Sequence, residues 1–382
     1  MLKPLDGVRV IEFCTVASGP FCGMLLADFG ADVIKVEMPG TGDSMRAWPP
    51  LTCGYSENFA SLNRNKRSIE LNLKDPDDNA VARKLLSKAA VVLENSRPGV
   101  MEKLGLDYSS VRRVNPRVVY ASISAYGQSG PRSREGGFDL TLQAASGIMS
   151  VTGEPGRGPV KCGVPLSDFA TGLYAAFSIS AALREAATSG HGTHIDVSMF
   201  GSSLAIAALQ TSEYFGRGID PTAIGSKHPR NAPYQTFCAS DGPFAIAAGN
   251  DSLWQAMCAV LGREDLRDSP RFASTALRAQ NQQQLSGILD EIFSSRRVDE
   301  LLEVFRKAGI PCAPINTYSQ ALSDPQVEHM GWVQNLHLPT GVVTKTFGSP
   351  IRFCGERPAI YRQPPLLGEH NSEIRAEIER VL

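Results

Sequence analysis

The sequence predicts an α/β protein with a doubly wound, Rossmann-like large domain and a smaller α+β domain. The chain opens with a β-α-β pattern, and strand and helix patterns then alternate as far as residue 125. The composition changes to a Gly- and Pro-rich stretch at 216–233. At 382 residues the chain has room for two domains. We place the large domain at 1–215, the small domain with its linkers at 216–325, and a C-terminal return to the large domain at 326–382.

The spacing of apolar residues predicts each element of the large domain in turn. Residues 8–13 and 32–37 are short apolar runs typical of strands. Ser18-Gly19-Pro20 between them is typical of a helix start, because proline fits the first turn. Further strands are predicted at 68–73 (a candidate edge strand), 91–94, 118–123 and 194–199. Helices are predicted at 77–89, 100–103, 108–114, 138–149, 166–185 and 200–214, and we expect the last two to be buried.

The remaining residues predict the smaller domain and the return of the chain. Residues 237–248 alternate like a β-hairpin around Asp241-Gly242. Helical patterns follow at 252–261, 279–293 and 298–308. Beyond residue 325 the chain has extended pieces, one of them at 341–347, and it ends in a helix predicted at 371–382.

Composition and charge exclude several classes of protein. The chain is 42% hydrophobic and 20% charged, which excludes general disorder. Its formal net charge of -1 argues against a nucleic-acid partner. It has no run of about 18 apolar residues and no signal-peptide pattern at its start, so we expect no membrane span. The eight cysteines form no CxxC pair, which is typical of reduced thiols in a cytoplasmic protein.

The common nucleotide and metal motifs are missing from the sequence. The first β-α turn, TVASGP at 15–20, lacks the GxGxxG pattern, so no nicotinamide cofactor is expected. There is also no GxxxxGK[ST] loop and no GxSxG nucleophile elbow. His191 and His194 are spaced like a metal pair, but they lie around a turn without an evident third ligand, so no metal is expected.

Two features of the sequence have both a structural and a functional interpretation. The first is the basic stretch NRNKR at 63–67, with Lys74, Arg97 and Lys103 after it. It is either a solvated surface or a site for a phosphate-rich ligand, which the helix start at Pro20 could also favour. The second is Asp168, which opens an apolar, small-residue helix. It is either an acid stabilised by the helix dipole or a carboxylate held beside a cavity.

A series of motifs, read with these two features, resembles the family III CoA-transferases, the group of formyl-CoA, carnitine and dicarboxylate CoA-transferases. No single motif is decisive, but the series runs in order along nearly the whole chain. The matching segments are PLDGVRVIEF (4–13), GP (19–20), LADFGADVIKVE (26–37), GD (42–43), NRNKRS (63–68), EN (94–95), NPR (115–117), AYGQSGP (125–131), QAASG (143–147), SD (167–168), ATG (170–172), YQ (234–235), AGN (248–250), GIP (309–311) and PLLGEH (365–370).

The resemblance implies a mechanism that uses acyl-CoA as a substrate and needs no permanently bound cofactor. Asp168 would be the nucleophile, forming an acyl-aspartyl anhydride and then its own CoA thioester. Asp139 matches an acidic helper position, and its alternative role is to cap the following helix. Backbone N–H groups of Gly249-Asn250, or of the 16–18 loop, would stabilise the oxyanion. The family's shielding run of glycines is missing, and residues 225–233 are the candidate substitute.

The resemblance also implies which residues contact CoA. CoA would contact Val16, Ala17, Ser18, Leu71, Lys74, Asn95 and Lys103, and Arg64 or Arg97 would replace an arginine that is Met38 here. Arg46, Trp48 and Tyr55 are candidates for the lining of the acid pocket.

The expected substrates are a succinyl-CoA-like donor and a small carboxylic acid, and the expected assembly is an interlocked homodimer. Two alternatives remain open. One is an acyl-CoA racemase or epimerase, although Phe138 stands where racemases have a histidine base. The other is a non-catalytic acyl-CoA-binding protein.

Overall fold

The computed structural model describes residues 3–380 and divides the chain into two compact units. The first unit comprises Met1–Ile148, Lys161–Ile219 and Pro325–Leu382, and the second comprises Met149–Val160 and Asp220–Asp324. The predicted boundaries at 216 and 325 lie close to these. The segment Met149–Val160, which the sequence placed in the large domain, belongs to the second unit. There the Gly225 N–H donates to the Gly153 carbonyl at 2.9 Å.

A six-stranded, all-parallel sheet forms the centre of the first unit. The spatial order of its strands is β5-β2-β1-β6-β7-β8, so the order reverses between β1 and β6 as in a doubly wound fold. The predicted edge strand, β5, lies at the sheet edge. The strands of the chain are β1 (Arg9–Phe13), β2 (Asp32–Glu37), β3 (Leu51–Thr52), β4 (Tyr55–Ser56), β5 (Lys66–Glu70), β6 (Val91–Glu94), β7 (Val119–Ser124), β8 (His194–Ser198), β9 (Tyr234–Ala239), β10 (Gly242–Ala247), β11 (Cys312–Pro314), β12 (Val333–His337) and β13 (Val343–Phe347).

Helices cover both faces of this sheet and also build most of the second unit. The predicted helix 200–214 is two helices that meet at Ala207, and the predicted helix 279–293 is two helices that meet at Asn281. The last two residues of the predicted C-terminal helix lie outside the described residues. The helices are α1 (Ser18–Asp28), α2 (Glu57–Asn63), α3 (Pro76–Leu86), α4 (Val100–Leu104), α5 (Tyr108–Val114), α6 (Asp139–Ala145), α7 (Leu166–Ser189), α8 (Met199–Ile206), α9 (Ala208–Arg217), α10 (Asp251–Leu261), α11 (Glu264–Arg267), α12 (Thr275–Gln280), α13 (Gln282–Ser294), α14 (Val298–Lys307), α15 (Tyr318–Leu322), α16 (Pro325–Met330) and α17 (Asn371–Glu379).

The central strands are buried on both faces, because each face packs against helices. On one face α1 and α7 pack on the sheet through residues such as Leu26 and Ile179. On the other face α3, α5 and α17 pack through residues such as Leu85, Val111 and Ile374. The predicted doubly wound α/β architecture is therefore confirmed.

Helices α7 and α9 depart from the prediction that they are buried. Helix α7 is long and apolar enough to cross a membrane by length and composition, and only one third of its apolar window is buried. A single such helix is weak evidence for a membrane span, and α7 also contributes Ala175 and Ile179 to the core of the first unit. Helix α9 has no buried residue. The two helices leave large apolar side chains exposed, among them Phe177 and Phe215.

The basic stretch at 63–67 is neither a solvated surface nor a free phosphate site. Lys66 is fully buried against Glu12, at 2.9 Å between Nζ and Oε2. Arg64 pairs with Asp28 at 2.6 Å, and Arg67 also forms ion pairs. The acidic partners come from distant parts of the chain, so these cations are occupied within the fold.

The second unit contains an antiparallel sheet, β9-β10-β11, packed against helices. The predicted hairpin is confirmed, since β9 and β10 pair in antiparallel register on either side of Ser240 and Asp241. The core of the second unit is rich in aromatic residues, with edge-to-face contacts between Phe293 and both Phe237 and Phe244.

Candidate active site

The first unit has a cavity of about 420 Å³ where the strand order of the sheet reverses. Ligands of doubly wound proteins commonly bind at this position, outside the carboxyl ends of the strands. The cavity is lined by segments that follow or end β1, β6, β7 and β8 and by the start of α7. The lining residues are Thr15, Val16, Ala17, Ser18, Asn95, Ser96, Arg97, Pro98, Ile123, Ser124, Ala125, Glu135, Gly136, Gly137, Phe138, Thr141, Asp168 and Met199.

Asp168 lines this cavity as the third residue of α7 and is half-buried. Burial raises the pKa of its carboxyl group to about 6, with a further contribution from the negative charge of Asp139. A hydrogen bond with Ser18 opposes this rise in pKa. Among residues 3–380, no Lys, Arg or His forms an ion pair with Asp168. Its carboxylate is therefore partly desolvated but not neutralised.

Asp139 lies behind this wall of the cavity and is not among the lining residues. Its Oδ1 accepts the backbone N–H of Ser167 at 2.9 Å, so it binds an otherwise free amide in the first turn of α7. It is also the first residue of α6. Asp139 is therefore not the N-cap of α6, which is Phe138, and it binds the residue before Asp168; its role as an acidic helper stays a prediction.

Helices α1 and α7 approach closely where Asp168 enters the cavity. At Gly172, one turn beyond Asp168, a Cβ atom would lie 2.8 Å from the Ser18 carbonyl oxygen and 2.9 Å from Phe21 Cδ1. The absence of a side chain at Gly172 therefore lets the two helix starts meet. This contact brings the Asp168 carboxyl beside Ser18 and the loop that precedes it.

That loop, at 15–18, is held in an unusual conformation without any glycine. Val16 has φ of 66°, which is strained for a β-branched residue. Its N–H lies 3.1 Å from both Oδ atoms of Asp43. Asn95 completes the support, since its Oδ1 accepts the Thr15 N–H and its Nδ2 donates to the Thr15 carbonyl.

A fully buried network of charges supports Asp43. Lys35 Nζ lies 3.0 Å from Asp43 and 3.1 Å from Glu12, and Lys66 pairs with the same Glu12. These carboxylates raise the pKa of Lys35 against the effect of its burial, so the lysine is a cation. The first β-α turn is thus anchored by ion pairs where dinucleotide-binding folds use glycines.

The cavity gathers some of the predicted CoA contacts and not others. Val16, Ala17, Ser18, Asn95 and Arg97 line it together with Asp168, and Arg97 is exposed there with its guanidinium against Gly136. The other four predicted contacts lie elsewhere: Leu71 is in the hydrophobic core, Lys74 and Lys103 are exposed beyond the lining, and Arg64 is paired with Asp28. Arg97 is thus the better placed of the two arginines predicted to compensate for Met38.

The remaining predicted site residues are not among the lining residues of the cavity, and they are Arg46, Trp48, Tyr55, Gly249 and Asn250. Arg46 pairs with Glu37, and Tyr55 donates to the Pro365 carbonyl, so these two side chains hold the fold together. Asn250 caps α10 by accepting the Leu253 N–H. Gly249 and Asn250 belong to the second unit, and their role at the oxyanion stays a prediction.

The buried Arg278 supports the predicted 249–250 turn in the second unit, and nothing in the sequence indicated this role. It donates to the Gly249 carbonyl at 2.9 Å and thereby supports the 249–250 turn. Its guanidinium has no exposed fraction, and further bonds to other backbone carbonyls fix its position.

Most of the other residues that line the cavity were not predicted from the sequence. They are residues 96, 98, 123–125, 135–138, 141 and 199. A usable signal existed, because 95–98, 124–125 and 199 end or directly follow predicted parallel strands.

Phe138, at the position of the racemase base, is 74% exposed and lines the cavity. His194 lies 3.0 Å from the Ser122 hydroxyl, and no group of three metal-binding side chains occurs among residues 3–380.

Comparisons with known proteins agree on one family. The model of CoA-transferase family III matches residues 5–371. Succinate–glutarate CoA-transferase of Agrobacterium fabrum is 38% identical over 99% of this chain and 96% of its own length. Acetyl-CoA:oxalate CoA-transferase of Acetobacter aceti is 38% identical over 98% of this chain and 95% of its own length. The crystal structure of a CAIB/BAIF family protein from Brucella suis, 38% identical, superposes with a TM-score of 0.87 over 99% of this chain and 100% of that one.

Proposed function

Because the chain belongs to CoA-transferase family III and is a CoA-transferase, we propose that it moves CoA from succinyl-CoA to a small dicarboxylic acid. The similar proteins are named for succinate and glutarate in one case and for acetyl-CoA and oxalate in the other, so each name includes at least one dicarboxylic acid. The observation that carries the proposal is the Asp168 carboxylate in the wall of the cavity, which is partly desolvated and forms no ion pair with any described residue. Its position at the start of α7 aims a nucleophile into a space that suits an acyl-CoA thioester.

The proposed reaction proceeds in four balanced steps. An Asp168 oxygen attacks the thioester carbonyl of the donor, the C–S bond breaks, and an acyl-aspartyl anhydride and CoA thiolate form. The thiolate attacks the Asp168 carbonyl carbon, releasing the donor acid as a carboxylate and leaving an aspartyl-CoA thioester. The acceptor carboxylate attacks this thioester and releases the thiolate. The thiolate then attacks the acceptor's acyl carbon and restores the Asp168 carboxylate.

Partial desolvation gives Asp168 the reactivity that a carboxylate in water lacks. No proton enters or leaves in these steps, so the ionised carboxylate is the form that reacts. A pKa of about 6 keeps most of it ionised at pH 7 while making it more basic than an exposed aspartate. The neighbouring charge of Asp139 acts in the same direction.

The backbone of the 15–18 loop is suited to stabilise the oxyanion of each addition. The N–H groups of Thr15 and Val16 are already bound, by Asn95 and Asp43. Among residues 3–380 no hydrogen-bond acceptor is assigned to the N–H groups of Ala17 and Ser18, at the positive end of α1. We propose these two amides as the donors, with Arg97 and Asn95 holding CoA across the cavity.

The exposed apolar side chains of the first unit fit a second copy of the chain. Leu173, Phe177, Leu209 and Phe215 are at least half exposed, and exposed apolar patches of this kind mark interfaces. We propose the interlocked homodimer that the family resemblance implies, in a reducing, cytoplasmic setting that suits eight free thiols. Light scattering of the purified protein checks the assembly, and a monomeric mass at micromolar concentration contradicts it.

The test of the function uses trapping of the Asp168 adduct. Wild-type protein incubated with succinyl-CoA and hydroxylamine should lose activity, because hydroxylamine converts the activated Asp168 carbonyl to a hydroxamate. Peptide mass mapping should place the change on Asp168, and D168N should show none. Succinyl-CoA is then assayed with a panel of mono- and dicarboxylic acids, where dicarboxylates should give the higher rates. An adduct elsewhere overturns the proposal, and so does solvent deuterium entering the α-carbon without any acceptor, which is the signature of a racemase.

A further inference from the structure

Gln143 is a fully buried polar side chain that the proposed mechanism has not used. It belongs to the QAASG segment (143–147), which supported the family resemblance without any assigned role. It lies on α6, one turn after Asp139, and is not among the lining residues of the cavity. A buried amide is costly unless each of its polar atoms has a partner, so its partners indicate what it does.

The two ends of the Gln143 amide bind two different segments. Nε2 donates to Asp139 Oδ2 at 2.7 Å, and Oε1 accepts the backbone N–H of Cys162 at 2.9 Å. A carboxylate can only accept and a backbone N–H can only donate, so these partners fix the orientation of the amide. Gln143 thus ties α6 to the loop that leads into α7.

The contact continues from Asp139 to the nucleophile's own helix. With Oδ2 held by Gln143, Asp139 accepts the Ser167 N–H through Oδ1 at 2.9 Å. The Ser203 hydroxyl donates to the Ser167 hydroxyl at 2.8 Å and so holds the same residue from α8. Ser167 directly precedes Asp168, so the carboxylate of Asp139 acts on the nucleophile through one peptide unit and through its charge.

We propose that Gln143 is a positioning residue for Asp168, acting through Asp139. Its amide holds the Asp139 carboxylate against the first turn of α7 and so fixes the direction in which Asp168 enters the cavity. The inference rests on the proposed function, because it presumes that Asp168 attacks the thioester. It explains why a polar side chain occupies a fully buried position that an apolar residue of the same volume could fill.

The test is a double-mutant cycle between Gln143 and Asp139, measured as kcat/KM for succinyl-CoA with the best acid of the panel. Q143M keeps the approximate volume and removes both hydrogen bonds. We expect about a 30-fold loss in the wild-type background, because small misplacements of a reacting group are costly. In a D139A background the same change should cost less than about 3-fold, because the link to Ser167 is already gone. The KM for succinyl-CoA should stay within about 2-fold, since Gln143 is not part of the cavity lining.

A control and a second variant separate positioning from packing. Gln235, a buried glutamine of the second unit that binds Ser286, provides Q235M, which should leave kcat/KM within about 2-fold and show no coupling to D139A. If Q143M does not fold, Q143E retains the volume and the acceptor for Cys162, but it replaces the donor toward Asp139 with a carboxylate oxygen that repels the Asp139 carboxylate. It should be strongly impaired in the wild-type background and much less impaired in D139A, where the opposing carboxylate is gone.

The outcomes distinguish this inference from the proposed function. If the wild-type protein exchanges no CoA, or if D168N is fully active, the proposed function fails. If the wild-type protein is active and D168N is not, but the Gln143 and Asp139 effects multiply independently, only the positioning role is overturned. A loss that appears solely as a raised KM would also overturn it.

Discussion

Asp43 and Asp168 are carboxylates of the same unit, and both shape one cavity, yet the chain surrounds them in opposite ways. Asp43 is fully buried and carries a lysine at 3.0 Å as well as backbone N–H groups from Val16 and Met45. Asp168 is half-buried, has no cation paired with it among residues 3–380, and faces the charge of Asp139. Asp43 is bound by a cation and by backbone amides, whereas Asp168 has a hydrogen bond with Ser18 and no paired cation among the described residues.

The difference separates the scaffold from the chemistry. The oxygens of Asp43 are bound by the strained Val16 turn, by the Met45 N–H and by Lys35, so Asp43 serves the scaffold and is fully buried away from a substrate. Asp168 is partly desolvated and carries no paired cation among residues 3–380, which suits a nucleophile. We therefore expect its ionised form to lower the stability of the fold, as reactive groups in active sites commonly do.

The substitution D168N should show the largest effect on activity. Removing the nucleophile should lower kcat by at least about 10³-fold, since no other step forms the anhydride. The same variant should be more stable than the wild type near pH 7. Because the folded-state pKa of about 6 lies above the ordinary value of 3.8, ionisation of Asp168 costs folding free energy as the pH rises through that window. We expect a gain in the free energy of unfolding of about 1 kcal/mol at pH 7, discounted for partial exposure.

Urea unfolding at pH 7 and near pH 3.5 checks this stability effect. The gain in the free energy of unfolding should vanish at the lower pH, because Asp168 is then largely protonated in both the folded and the unfolded wild-type protein. A D168N protein that is less stable than the wild type at pH 7 would show that Asp168 belongs with Asp43 as a structural acid. The distinction between a structural Asp43 and a reactive Asp168 would then be wrong.

The substitution K35M should have the largest effect on stability. It leaves Asp43 and Glu12 buried without one of their cations, and removing one partner of a buried pair costs about 3–5 kcal/mol. Urea unfolding measures the loss. The matched control is K307M, which breaks an exposed pair with Glu303 at 2.6 Å and should cost less than about 0.5 kcal/mol. Equal costs for the two variants would mean that the buried network does not anchor the fold.

The sheet could be predicted from sequence because its signal is local. The strands at the centre of the sheet are buried on both faces, so apolar runs such as Val91–Glu94 stand out in isolation. Asp168 could be chosen because a motif marks it. The Val16 turn could not be foreseen, since a β-branched residue takes a left-handed conformation only when something as distant as Asp43 holds it there.

The burial of charge and the exposure of apolar helices were also beyond prediction, for a related reason. Arg67 is buried by Glu373 and Glu377, about 300 positions away, and no local pattern contains that pairing. Conversely, the composition of α7 and α9 predicted burial, which this chain alone does not provide. The partner subunit that we propose to cover these helices would be a matter of assembly, which a single sequence does not encode locally.

The substitution G172A should have an intermediate effect on both properties. The added Cβ would meet the Ser18 carbonyl at 2.8 Å, and backbone cannot move aside as a flexible side chain can, so α1 and α7 must separate. We expect a loss of about 1–3 kcal/mol in stability and about 10-fold in kcat, as Ser18 and Asp168 move apart. Thermal unfolding and steady-state rates measure the two.

The matched control for this prediction is G287A in the interior of α13, where no atom lies within 4 Å of the new Cβ. Alanine should stabilise that helix by about 0.5–1 kcal/mol. If G172A were equally well tolerated, the contact between the helix starts would not set the position of Asp168.

The most specific effect of the substitution D139N should be a shift in the pH dependence of kcat/KM. The neighbouring negative charge contributes to the raised pKa of Asp168, so neutralising it should lower that pKa toward its ordinary value. Since the carboxylate is the reacting form, the acid limb of kcat/KM should move to lower pH, by about 1 pH unit. Asparagine can still accept the Ser167 N–H through its side-chain oxygen, but its NH2 group then faces the Gln143 Nε2 donor, so the hydrogen bond to Gln143 is lost and the rate should also fall. The shift of the acid limb therefore reports the charge, and the fall in rate reports the lost hydrogen bond. A limb that stays in place while the rate falls would assign Asp139 to geometry only, making it a structural acid like Asp43.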